Sequence, residues 1–164
     1  MADAALNSPL PLTEALSYSN PKIARYHAEL YKLSEIRSLE LFEDVKQWLW
    51  ACALRSWLEK SGESVPAALT ITPELMEIDS MWHTFLLFSE DYQYFCSTYL
   101  RTFVHHDPIA QEEKESFREL VQKNPIEAKE LRKKEMRPQL EFLHRHLGAE
   151  ILTRWFLKAS VCGT

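Results

Sequence analysis

Asp79 and His83 stand four residues apart, a spacing that puts both side chains on one face of an α-helix, one turn from each other. At that separation a carboxylate can orient an imidazole, or the two can share a metal ion. Their neighbours Ile78, Met81, Trp82 and Phe85 are apolar, so the pair is expected to sit partly below the surface, where an aspartate demands a partner. Further on, Tyr92 and Cys96 repeat the four-residue relation, and His105 and His106 follow as adjacent residues. Neutral imidazole and carboxylate are common ligands for zinc and for non-haem iron. Asp79, His83 and one of His105 and His106 would make a two-histidine, one-carboxylate set with positions left for water or substrate. Tyr92 is then a candidate acid or substrate hydrogen-bond donor. Cys96 is a candidate nucleophile beside a histidine, although no oxyanion-hole signature accompanies it.

The same residues admit a second reading. An Asp–His pair one turn apart can be a buried, hydrogen-bonded tie between elements, and His105-His106 before Asp107-Pro108 can serve as loop donors. Trp82, Phe85, Tyr92, Tyr94, Phe95 and Phe103 can equally be core. The chain is then a non-catalytic interaction module, with an apolar groove near Trp82 or Trp155 that takes a partner helix or peptide. The spacing alone lacks the specificity of a two-histidine zincin motif or of paired CxxC motifs. Outside this window, His27 lies on an apolar stripe and reads as a satisfied core histidine, and Cys52 as a packing residue. His144 and His146 are two apart and read as solvated.

The string Ile78-Asp-Ser-Met-Trp-His83-Thr-Phe85, then Tyr92, Phe95-Cys96 and Phe103-Val-His-His106-Asp-Pro108, resembles the bacterial members of the glycine-rich domain-containing protein-like family, a domain of unknown function. Position by position, the resemblance falls on Asp79, Trp82, His83, Tyr92, Cys96, His106 and Pro108. It implies a shared polar site at these positions and no particular activity. Plant members carry a second histidine two places after the first. Phe85 stands there in this chain, so a metal site using that histidine is not expected. No glycine-rich segment is present either.

An all-α fold must position these residues: a single compact domain of about six or seven helices over residues 20–164, preceded by a loosely ordered arm over 1–19. Pro9 and Pro11 keep the arm from forming a continuous helix. Asn20-Pro21 is a helix start, and Ser38 can cap a second helix to Lys60 whose segment Trp48–Leu54 is apolar all round, as a central buried helix must be. Thr72-Pro73-Glu74 opens a third helix that carries Asp79 and His83 to Phe88, and Ser89 begins the next. Residues 103–108 read as an ordered loop. Helices follow over 110–122 and from Asn124-Pro125 to His146, with Pro138 expected to kink or interrupt the latter. Gly148 closes it, and Ile151, Leu152, Trp155 and Phe156 form a final amphipathic turn or two.

Composition excludes several classes. Hydrophobic residues make up 46% of 164, enough for one sizeable core. The formal net charge of −5 and the dispersed basic residues disfavour nucleic acid and anionic membrane surfaces. With only 3 glycines, phosphate-cradling loops have no material. Cys52, Cys96 and Cys162 form no CxxC pair, which favours a reducing compartment over a disulfide framework. The start of the chain lacks the basic and apolar stretches of a signal peptide, and the longest apolar run is too short to span a bilayer, so a cytoplasmic protein is expected. The partner, small molecule or protein, is left open.

Overall fold

The computed structural model describes residues 7–157. Cys162 and the first six residues of the expected arm lie outside them. The described residues form eight α-helices and no strand, slightly more helices than the sequence suggests. They are α1 (Leu12–Ser17), α2 (Pro21–Tyr31), α3 (Glu35–Lys60), α4 (Met76–Leu87, entered through a 3₁₀ turn at Pro73–Leu75), α5 (Ser89–Phe95), α6 (Gln111–Lys123), α7 (Pro125–Leu147) and α8 (Ala149–Leu152). Wide π-type turns at Cys96–Leu100 and Thr153–Leu157 extend α5 and α8.

α3 is the axis of the domain. Val45, Trp48, Leu49 and Ala51 are fully buried, and α1, α2, α4 and α7 pack around it. Its N-cap is Ser34, whose side chain accepts from the Arg37 amide at 3.1 Å, and not Ser38 as the sequence suggests. Lys32 ends α2 in the left-handed conformation (φ 58°), so the chain reverses early enough for Ser34 to cap. Ser38 is buried one turn into the helix, where its hydroxyl meets His27 Nδ1 at 3.0 Å. His27 Nε2 lies 3.0 Å from Ser80 Oγ on α4, and Ser80 donates its only hydroxyl proton to Glu77 O at 2.7 Å. The bond between His27 and Ser80 must therefore run from Nε2–H, leaving Nδ1 to accept from Ser38. His27 is the satisfied core histidine expected, tying α2 to α3 and α4.

The segment expected to be a loose arm is docked over its described part. Ala15 is fully buried and Tyr18 reaches the aromatic core beside Phe42, Phe85, Phe95 and Tyr99. Trp50 Nε1 donates to Leu10 O at 2.8 Å, and the Leu10 amide donates to Tyr99 O at 2.8 Å. Lys46, fully buried, donates to Leu16 O (2.9 Å) and Tyr18 O (2.6 Å), capping the carbonyl end of α1. Pro138 does not interrupt α7. Pro138 and Lys134, the residue whose carbonyl it leaves unbonded, are both exposed, so water can take the freed carbonyl. No helix among the described residues is long and apolar enough to cross a membrane.

Candidate metal centre

Asp79 and His83 project from α4 as their spacing requires, and the carboxylate lies mostly below the surface while the imidazole is half exposed. The third member comes from the segment after α5. Arg101, in the left-handed conformation (φ 54°), ends the wide turn and reverses the chain, so that residues 103–106 run back over α4. His106 then stacks on the Trp82 indole, with ring centroids 4.0 Å apart and planes 8° from parallel. It also stacks on His83 at 4.6 Å. His106 Nε2 lies 3.0 Å from Asp79 Oδ1, and His83 Nε2 lies 3.6 Å from Asp79 Oδ2. One ligand atom from each of the three residues falls within 4.8 Å of the others, a set that can hold a metal ion.

The distance between Oδ1 and Nε2 would suit a hydrogen bond, but the direction does not: both atoms are buried and neither has a partner in hydrogen-bonding geometry. Two ligand atoms that share an ion behave in this way, because each points at the ion and not at the other. In a tetrahedral site with bonds near 2.0–2.1 Å, neighbouring ligand atoms sit about 3.3 Å apart. The 3.0 Å from His106 Nε2 to Asp79 Oδ1 and the 3.6 Å from His83 Nε2 to the other oxygen, Oδ2, lie near that spacing. Burial holds the His106 pKa below its ordinary value; Asp79 pulls it up and His83 pushes it down again. At neutral pH the ring is therefore neutral, as ligation needs.

Beneath the triad, Trp82 Nε1 donates to Tyr92 Oη at 3.1 Å, and Tyr92 donates to Val104 O at 2.5 Å. The backbone of the same Val104 lies beside the Cys96 thiol and opposes the rise in its pKa. Tyr92 and Cys96 are both almost fully buried, and burial pushes their hydroxyl and thiol pKa values up. Their contacts tie α4 and α5 to the loop that carries His106. His105 is not part of the cluster. It is exposed and lies against Phe103 at 4.8 Å, because adjacent residues of a non-helical segment point to opposite sides. Cys52 is a packing residue with its thiol pushed up to about 12 by burial. His146 rests on the Phe142 ring. That Trp82 is the platform for His106, and Val104 O the anchor, was not legible from spacing, because both depend on contacts between separate segments.

No protein-family model, no curated protein and no solved structure matches the chain.

Proposed function

We propose that the chain is a metal-binding helical domain in which Asp79, His83 and His106 hold one divalent cation, zinc or non-haem ferrous iron. The observation that carries this reading is the convergence of Asp79, His83 and His106, with the buried Asp79 Oδ1 and His106 Nε2 paired at 3.0 Å but outside hydrogen-bonding geometry. Buried polar atoms without partners are uncommon, and an ion between them satisfies both at once. Three protein ligands leave coordination positions for water or a small ligand on the half-exposed His83 side. A cation there would supply Lewis acidity or an activated water. The resemblance to the glycine-rich domain-containing protein-like pattern supports the same three residues, which are among those it falls on. Free Cys52 and Cys96 are consistent with a reducing, cytoplasmic setting.

Elemental analysis of protein purified without a histidine tag tests the reading, alongside Asp79→Ala and His83→Ala. Near-stoichiometric zinc or iron in the wild type, lost in folded variants, is the expected result. Protein that stays metal-free after incubation with zinc and with ferrous iron sinks it. A second reading, the non-catalytic interaction module, draws on the groove that Trp155 lines. There the triad is only a tie between α4 and the loop, and His83→Ala changes neither metal content nor partner binding.

A further inference from the structure

One stripe of α4 stays in solvent. Ile78, Met81, Trp82 and Phe85 are buried in the core. Met76, His83 and Leu87 are exposed, in line with Asp79 at steps of three, four and four residues. Side chains at those steps stand one above another on a helix. A solvated stripe ordinarily carries polar residues, yet Met76 is 56% and Leu87 is 66% exposed, one on either side of the ligand pair. At a rise of about 1.5 Å per residue, Met76 lies about 4.5 Å before Asp79 and Leu87 about 6 Å beyond His83.

The segment that delivers His106 repeats the pattern. Phe103 is 47% and Ile109 is 46% exposed. Phe103 meets Tyr92 edge-on at 5.4 Å, and Tyr92 is bonded to the Trp82 indole on which His106 stacks. A single exposed leucine carries no information. Here four large apolar side chains stand in solvent on the two elements that build one candidate metal centre, and a ligand with a hydrocarbon part accounts for all four.

The head group follows from the triad. Three protein ligands leave coordination positions on the side of His83, the exposed member. A divalent ion beside the single Asp79 carboxylate gives the centre one net positive charge, and zinc and ferrous iron both accept carboxylate oxygen. We infer, resting on the metal reading, that the centre takes a monocarboxylate with a hydrocarbon chain: the carboxylate occupies an open coordination position and the chain lies along the α4 stripe from His83 toward Leu87. Asp107, exposed and close enough to act on His106 electrostatically, disfavours a second negative charge on the ligand.

Acetate, butanoate and hexanoate test it, titrated calorimetrically into the zinc-loaded full chain and into the chelator-treated chain. A methylene half covered by protein strengthens binding about twofold. Hexanoate is therefore expected to bind about tenfold or more tightly than acetate, and only with zinc present. Leu87→Ser should remove most of that gain while zinc and acetate bind as in the wild type. At so exposed a position the melting temperature moves by no more than a few degrees. With cobalt(II) in place of zinc, the visible spectrum should change on addition of hexanoate, which locates the head group at the ion. A chain that takes up neither zinc nor cobalt overturns the metal reading and this inference together. A loaded chain that binds acetate and hexanoate alike overturns this inference alone. So does hexanoate binding that is the same without metal or in Leu87→Ser, or a cobalt spectrum that does not respond.

Discussion

His83→Ala separates the metal reading from the structural tie, because His83 is the ligand the apo fold needs least. Its side chain is 56% exposed and its approach to Asp79 is a long 3.6 Å. An exposed pair of this kind is worth about 0–1 kcal/mol, and a surface truncation usually changes stability by less than about 0.5 kcal/mol. In chelator, then, the variant melts within a degree or two of the wild type. In zinc the two diverge. A wild type with free zinc at one hundred times its Kd gains about 2.7 kcal/mol. At about 2–4 °C per kcal/mol for a chain of this size, that is a rise of about 5–11 °C. A site reduced to two ligands, one of them on the loop, loses most of that rise. Thermal melts followed by circular dichroism, with chelator and with a zinc series, read both quantities. Equal zinc-dependent rises in wild type and variant, or no rise in the wild type, would refute the reasoning.

Tyr92→Phe removes the donor to Val104 O and the acceptor for Trp82 Nε1. It should cost about 2–5 kcal/mol by urea unfolding, and it should weaken zinc affinity although no ligand is touched. Lys46→Met leaves Leu16 O and Tyr18 O without their donor, at about 1–3 kcal/mol each. Amide exchange at Ala15 should accelerate more than exchange in α3. Stability should also fall with acid. Burial lowers the His27 pKa below 6.5, the Glu77 carboxylate opposes this, and Ser38, Ser80 and the Tyr31 ring complete its surroundings. The unfolded chain therefore takes up the proton more readily. This stability is fully present above pH 6.5 and is lost as pH falls through the lower folded-state pKa. His106 and His146 shift in the same direction. Urea midpoints at about pH 7.5 and about pH 5.5 check it, and an unchanged midpoint would count against neutral buried histidines.

What could be read in the sequence was local. Asp79 and His83 share a face because helical periodicity is a property of one short segment, and the all-round apolar run at Trp48–Leu54 marks a buried helix for the same reason. The choice between His105 and His106 was not legible, since it depends on the direction in which the loop leaves Arg101 and on the Trp82 ring it meets. The docking of residues 8–18 was hidden by Lys46. A lysine beside Val45 and Trp48 reads as a solvated gap in an apolar stripe, but this one is buried by two carbonyls 28 and 30 residues away. Ser34 and Ser38 are equivalent as caps until the turn at Lys32 decides between them.

The candidate metal site is therefore half intrinsic and half borrowed. α4 supplies Asp79 and His83 at a separation fixed by helix geometry, whereas His106 arrives on a segment without regular secondary structure. That segment holds its place through Tyr92, Cys96 and Trp82, all anchored on α4, α5 or the turn that follows. An ion bound at the triad would bridge these halves and stabilise the loop against α4 by the same free energy with which it binds. The anchors beneath should then matter most to apo stability, and the ligands above to metal-dependent stability. The Tyr92→Phe and His83→Ala variants are chosen to lie on opposite sides of that division.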